Sequence, residues 1–339
     1  TKEIDDAIIA SRGITRHYFD QRGSTNKSID ALLFYNAAVP LKEDVELYTF
    51  GGLSQRNSQF TAVYRLPGWT ERNNTFIYPD GFLPAMDNII SDRSIAVGLK
   101  AKVKGWTIDV SNVYGYNGFG NNISNSLNAS YGLRTPRKFD AGSYSASQNT
   151  GSLDFSRYFD KALKGINVAF GGQYRVETYR INAGEEASYA KADLRNIYGV
   201  DTTSGGIIYN TSLGQTPLNG LSPGSQIHAG FRPGNEVNVN RSISAGYLDV
   251  ELNATNAWLI SGAFRVENYS DFGSVFTYKA ATRYKFADFL SVRGSYNTGF
   301  RAPDLAQFYY TETSTTFQNG VAIDQVTANN VNPATKALG

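Results

Sequence analysis

The stretch FLSVRGSYNTGFRAPDLAQFYY, Phe289 to Tyr310, decides the fold. It opens with Leu290, Val292, Gly294 and Tyr296 on one side and Arg293, Ser295 and Asn297 on the other. Successive side chains of a β-strand point to opposite faces, so this pattern makes one apolar and one polar face. The stretch then runs through Phe300-Arg301-Ala302-Pro303 into an aromatic-rich segment. Pro303 disfavours helical geometry in the residue before it, which predicts that Phe300 and Arg301 continue the strand.

The same alternation recurs along the chain. Ile95, Val97, Leu99, Ala101 and Val103 oppose Ser94, Ala96, Gly98, Lys100 and Lys102. Ile166, Val168, Phe170, Gly172, Tyr174 and Val176 oppose Asn167, Ala169, Gly171, Gln173, Arg175 and Glu177. Trp258, Ile260, Gly262, Phe264 and Val266 oppose Ser261, Ala263, Arg265 and Glu267, and Tyr278 to Phe286 behaves alike. A packed helix cannot use charge at every second residue. The pattern predicts about ten strands: 28–39, 44–64, 92–103, 105–116, 145–158, 165–181, 241–253, 257–269, 275–286 and 289–300. The connections alternate in length. Tight turns fall at one end, near Lys104-Gly105 and Ala287-Asp288, and long loops (roughly 65–91, 117–144 and 182–240) at the other.

Composition narrows the class. The chain has 339 residues, a formal net charge of +2 and no Cys, so disulfides, thiolate metal sites and Cys nucleophiles are out. The weak net charge gives no nucleic-acid footprint. Aromatics make up 13%, with 22 Tyr and 20 Phe, and there are 33 Gly, an inventory suited to strands and turns. No run of about 18 apolar residues exists, which excludes a transmembrane helix. A transmembrane strand needs only about 9–11 residues with every second one apolar, so a membrane barrel stays open. Thr1-Lys2-Glu3 is no basic leader region, as expected of a mature or trimmed chain.

A soluble antiparallel sandwich also alternates. Two features favour a membrane barrel instead: the Gly, Ala, Arg and Glu mixture on the polar face, and aromatics near strand ends. Trp106, Tyr114, Tyr116, Trp258, Tyr269, Phe276, Phe286 and Phe289 sit where interfacial girdles would lie. The predicted fold class is all-β, a transmembrane antiparallel up-and-down β-barrel with long extracellular loops.

Specific text then sharpens the reading. RVENYSDFGSVFTYKAATRYKFADFLSVRGSYNTGFRAPDLAQ, Arg265 to Gln307, resembles the barrel of TonB-dependent outer-membrane receptors. YPDGFLP (Tyr78 to Pro84) and YRVETYRINAGEEASY (Tyr174 to Tyr189) are similar to passages of such receptors common in Bacteroidetes-type bacteria. The resemblance implies a barrel of about 22 strands with a plugged lumen, of which this chain supplies about ten. Residues 1–339 are therefore expected to be an internal part of the receptor barrel, with the plug and the C-terminal strands outside it. The resemblance further implies the bacterial outer membrane, active uptake energised by the TonB–ExbB–ExbD system, and no enzyme activity. Expected partners are outer-membrane lipid, the receptor's own plug, and a small ligand or glycan. The ligand would be a scarce nutrient such as a metal chelate, a vitamin or a glycan. No cofactor, metal site or nucleic acid is expected. Two other classes stay open: a ten-stranded outer-membrane enzyme of protease type, which requires a closed barrel, and a passive porin.

Candidate ligand-binding residues follow from placement. Arg175 with Glu177, and Arg265 with Glu267, face the polar side near the external rim, as ligand or plug contacts or as an ion-pair ladder. Arg301 is either a strand end or a ligand contact. The loop aromatics Trp69, Tyr78, Tyr116, Phe308 and Tyr309, with Phe82, Phe119 and Tyr310, are able to stack on a ligand. The segment after Pro303 is expected outside the cell. Asp109 and Asp154 lie on predicted lumen faces with no partner legible. His17 and His228 fall in loops and read as surface residues.

Overall fold

The computed structural model describes residues 2–15, 17, 27–192, 221–318 and 321–338, so the middle of the predicted 182–240 loop lies outside the described residues. Ten strands form one sheet: β1 (Lys27–Lys42), β2 (Val45–Thr61), β3 (Ala85–Val103), β4 (Trp106–Ser124), β5 (Phe139–Phe159), β6 (Ile166–Asn182), β7 (Val237–Asn253), β8 (Trp258–Tyr269), β9 (Gly273–Ala287) and β10 (Leu290–Asn297). Each pairs antiparallel with its neighbours in chain order. A separate hairpin, β11 (Glu312–Gln318) and β12 (Val321–Thr327), follows. The α-helices are short: α1 (Lys2–Ser11), α2 (Glu186–Tyr189), α3 (Leu305–Tyr309) and α4 (Pro333–Leu338). Tight turns lie at one end, as at Lys104-Gly105, where both residues have positive φ (49° and 83°). Two such residues build the hairpin turn whose twist matches the flanking strands.

The register separates two faces. Leu47, Leu99, Val110 and Leu153 are directly paired across β2 to β5, and so are Phe155, Phe170, Leu248, Phe264 and Tyr278 across β5 to β9. These apolar residues are not buried. Val97 is 44% exposed, Phe170 38% and Val292 57%, whereas Ala96, on the opposite face beside Val97, is 2% exposed. A soluble sandwich would invert that order, since its apolar face forms the core. The open apolar face is the hydrocarbon-facing surface of a membrane barrel. Rings cluster at its lower margin, where Trp106 sits edge-on to Phe159 at 6.0 Å and to Phe170 at 5.6 Å, and Arg157 lies over Phe159 at 4.6 Å. The interval from Trp106 to Tyr116 along β4 is close to the roughly 9–11 residues of a tilted transmembrane strand.

The strands of the first half run past the membrane. β3 starts at Ala85, β4 continues to Ser124 and β5 starts at Phe139, inside the predicted loops 65–91 and 117–144. Above the apolar band both faces are wet, so alternation fades while the backbone ladder continues. Tyr116 and Phe119 are therefore strand residues of β4, not loop residues. At the other end, β10 stops at Asn297, and Phe300 and Arg301 lie outside it, contrary to the expectation from Pro303. The tertiary clamp described below, not the proline, decides that path.

Buried apolar clusters lie at the long-loop end. Met86, Ile123, Phe139 and Ala141 form one, Phe82, Leu127 and Ala129 a second, and Tyr179, Ile181, Phe231 and Leu305 a third. Among the described residues β1 and β10 each have a single neighbour, so these ten strands form an open wall. The closed ten-stranded barrel that the enzyme reading requires is not built.

Candidate functional site

Low on the polar face, two tyrosines reach across glycines. Tyr48 of β2 crosses Gly98 of β3 and donates to Asp109 Oδ1 of β4 at 2.8 Å. Tyr247 of β7 crosses Gly171 of β6 and donates to Asp154 Oδ1 of β5 at 2.6 Å. Asp109 and Asp154 are register partners, so the two arrangements meet back to back. This is the partner that the sequence left unassigned. Glycine leaves the space in which a ring can lie flat on the wall.

Higher on the wall, the predicted charged residues meet one another. Arg175 Nε lies 3.1 Å from Glu177 Oε1. Arg265 Nε donates to Glu267 Oε1 at 2.9 Å and its Nη2 to Gln173 Oε1 at 2.9 Å, while Tyr269 donates to Glu267 Oε2 at 2.6 Å. These groups form an ion-pair ladder whose charges neutralise locally. Arg301 is 88% exposed and only 3.8 Å from Asp304 at its nearest.

A residue that sequence reasoning missed holds the rim. The Arg241 side chain on β7 is 1% exposed. Its Nε donates to Asp271 Oδ2 at 2.8 Å and its Nη1 to the Pro303 carbonyl at 2.9 Å, with Glu177 Oε2 at 3.5 Å. The guanidinium lies over Tyr269, Phe272 and Phe308 at 5.9, 5.5 and 5.8 Å. A buried arginine needs such paired acceptors, because its charge cannot be lost and its donors are costly to leave unmet. Parity places Arg241 inward; nothing local in the sequence names Pro303 or Phe308 as its partners.

The expected loop aromatics are largely spent on packing. Tyr78 stacks on Phe82 at 4.5 Å, donates to the Ser126 carbonyl at 3.3 Å and lies under Arg137. Tyr116 faces outward beneath Arg93 at 5.6 Å. Trp69 is half-buried in the 62–84 loop. The segment after Pro303 folds against the wall and does not stand clear of it. Leu305 joins Tyr179 and Ile181 in the third cluster, and Tyr309 and Tyr310 pack against it. Buried polar groups tie the loops together. Asn128 donates to the Ala187 and Ala190 carbonyls at 2.8 Å each, and Arg65 Nε donates to Gln226 Oε1 at 3.1 Å.

The β11–β12 hairpin docks on the loop before β7. His228 Nδ1 lies 3.1 Å from Glu312 Oε1, so His228 is a largely buried partner and not the surface residue expected. Arg232 grips Asp324 at 2.5 and 3.0 Å. The His228 hydrogen bond, helped by the Tyr310 hydroxyl, holds Glu312 below the ordinary glutamate range. The Arg232 hydrogen bond does the same for Asp324. Tyr310 is raised, first by burial and then by Glu312.

Comparison with known proteins fits this geometry. Residues 34–335 match the family described as TonB dependent receptor-like, β-barrel. The chain belongs to the TonB-dependent receptor family. Members of this family are outer-membrane transporters, not enzymes, so the wall described here is outer-membrane wall. The siderophore receptor PirA from Acinetobacter baumannii is similar in fold, with a TM-score of 0.54 and 11% identity over 90% of this chain and 39% of that one. The RagAB peptide transporter is similar too, with a TM-score of 0.51 and 11% identity over 91% of this chain and 37% of that one. The chain thus spans well under half the length of these structures. No curated protein matches it. In this TonB-dependent receptor wall, the two stretches that carried the resemblance, YSDFG and GFRAP, are joined through Arg241, which binds Asp271 of the first and the Pro303 carbonyl of the second.

Proposed function

We propose that the protein containing this wall takes up a scarce nutrient across the outer membrane, with energy delivered by the TonB–ExbB–ExbD system to a plug inside the barrel. The wall is one part of a larger barrel of about 22 strands. The observation that supports this most is the ten-strand register: an apolar face open to lipid on one side, and on the other a polar face whose rim charges pair among themselves. A site for bond-making chemistry needs groups with unmet valences or shifted proton affinity converging on one point. Here Arg175, Glu177, Arg265 and Glu267 are used to shape the lumen. Metal chelates, glycans and peptides all lie within the reading, and the two similar structures are named a siderophore receptor and a peptide transporter.

The test is growth on single nutrients at limiting concentration. A strain lacking this protein should lose growth on one nutrient, and loss of TonB should reproduce the defect. A defect that persists without any dependence on TonB or on the proton-motive force would instead indicate a passive porin.

A further inference from the structure

The inner wall carries a groove of about 630 Å³, lined by Glu177 of the expected site residues and by others that the sequence did not single out. Two adjacent rows of inward residues cross from β1 to β6 in continuous register, roughly 24 Å at about 4.8 Å per strand. Small residues make the floor: Gly52, Ser94, Gly115 and Ala146. An added Cβ at Gly115 meets nothing within 4 Å, so the floor is open and not merely tight. Leu32 and Phe34, inward and 78% and 65% exposed, form one apolar end, and Phe50 and Val113 lie in the row below. Tyr179 and Leu305 form the other, where α3 folds over the wall as a lip. One row above, Phe119 and Tyr144 stack at 5.0 Å along the upper margin.

The polar groups of the groove present acceptors. Asp92 accepts from Asn117 Nδ2 at 2.6 Å and Ser54 Oγ at 3.2 Å, which uses two of the roughly four acceptor positions of a carboxylate. Asn117 gives one of its two amide N–H donors to Asp92, and its carbonyl oxygen adds an acceptor beside it. Gln148 donates one amide N–H to Thr150 at 3.0 Å, and its carbonyl oxygen is a second acceptor of this kind. The nearby cations are committed elsewhere. Arg93 lies on the outward face over Tyr116, Arg56 holds Asp30 at 2.6 Å, and Arg175 and Arg241 hold Glu177. Among the described residues, the inward cations without an ion-pair partner stand away from the groove: Lys100 and Lys102 at the turn end of β3, eight or more residues from Asp92, and Lys279, Arg283 and Arg293 on β9 and β10.

We infer that this groove binds an elongated, donor-rich, non-anionic ligand that carries at least one apolar group, with Asp92 as its charge-determining contact. A short peptide bearing ammonium and aromatic groups has this chemistry; a polyanionic ferric chelate does not. The inference rests on the uptake reading and names its ligand class. Apolar burial at Leu32 and Phe34 supplies affinity. The acceptor row supplies selection, because an anionic group placed on Asp92 pays repulsion and lost solvation.

The test uses the full-length receptor purified in detergent, with no energy source, so it is independent of uptake. The probes are a fluorescent tetrapeptide amide of alternating phenylalanine and lysine, the same peptide with glutamate for lysine, and a ferric tris-catecholate. The lysine probe should bind, at least about tenfold more tightly than the glutamate probe. Asp92→Asn should weaken the lysine probe roughly tenfold, the scale of one charge-assisted hydrogen bond. Gly115→Trp should abolish its binding by filling the floor, with retained heat-modifiability on electrophoresis confirming that the barrel folds. The inference is overturned by no binding or no preference for the lysine probe, by tighter binding of the glutamate probe or catecholate, or by lysine binding unchanged in folded Gly115→Trp. Anion binding that responds to Arg283→Gln would place the site on β9 and β10 instead. Any of these leaves TonB-dependent growth untouched as a separate result.

Discussion

At the scale of single residues, the two arginines near the GFRAP stretch separate structure from surface. Arg241 is enclosed by three rings and by Asp271, Glu177 and the Pro303 carbonyl, while Arg301 points into solvent. Arg241→Ala strands two carboxylates in a partly dry rim. It should cost roughly 3 kcal/mol, the low end for breaking a buried pair, because Asp271 and Glu177 keep some contact with water. Denaturant unfolding of the receptor in detergent measures this, and limited proteolysis should show new cleavage between Thr298 and Tyr310. Arg301→Ala should move neither readout, since an exposed pair at 3.8 Å adds little. The glycines give a second contrast. A methyl group at Gly98 would overlap the Tyr48 ring and displace its hydroxyl from Asp109, whereas one at Gly115 enters open space. Gly98→Ala should destabilise by about 1–3 kcal/mol through overpacking and the lost hydrogen bond. Gly115→Ala should be neutral or stabilise by up to about 1 kcal/mol, because it restricts the unfolded chain. Equal effects of the two alanines on the unfolding midpoint would remove the argument that Gly98 exists to seat the ring.

At the scale of elements, the β11–β12 hairpin is held by a few polar contacts and is therefore the part most open to pH. Glu312 and Asp324 both have proton affinities lowered by their partners, His228 and Arg232. A carboxylate with a depressed pKa stabilises the docked state above its unfolded value and loses that contribution as pH falls through its folded value. The reference values are 4.5 for Glu and 3.8 for Asp, so docking should be complete near neutral pH and weaken from about pH 4.5 downward. The groups facing these two carboxylates are Tyr310, Thr315, His228 and Arg232. Hydrogen exchange in residues 312–318 and 321–327, corrected for intrinsic rates, should rise as pH is lowered through this window. Glu312→Gln should raise exchange already at neutral pH and flatten the Glu312 part of the profile. A profile in the variant identical to the wild type would show that the Glu312–His228 contact does not hold the hairpin. Sequence alternation could not foresee this element. Thr313 to Phe317 is short and mostly polar, and its anchors, His228 and Arg232, lie on the far side of a long loop.

At the scale of the whole molecule, what was legible is what repeats. Each strand of the wall writes its two faces in its own local order, so Val97, Phe170 and Val292 announce their surroundings without reference to any other strand. Contact between strands, and between strand and loop, is different in kind. Asp109 meets Asp154, and Arg241 meets Pro303, only because of register and of how the segment after β10 folds back; no local pattern encodes either. The repeated signal yields a strict prediction on β9, where Ala280 and Ala281 are neighbours in sequence. Ala280 is paired with Gly262 and Tyr296 on the outward face, midway between Phe276 and Tyr284, and Ala281 is paired with Ser261 and Ser295 on the polar face. Ala280→Lys places an ammonium in hydrocarbon and should cost about 2–4 kcal/mol. Ala281→Lys points the same group into the wet lumen between Lys279 and Arg283, where like-charge repulsion should cost no more than about 1 kcal/mol, below the outward penalty. Urea titration of the receptor folded into lipid vesicles, scored by heat-modifiability, compares the two directly. In detergent micelles, which deform around a snorkelling lysine, the gap should narrow. A larger penalty at Ala281 than at Ala280 would mean that the apolar face of this wall looks inward, and the membrane orientation assigned here would be reversed along all ten strands.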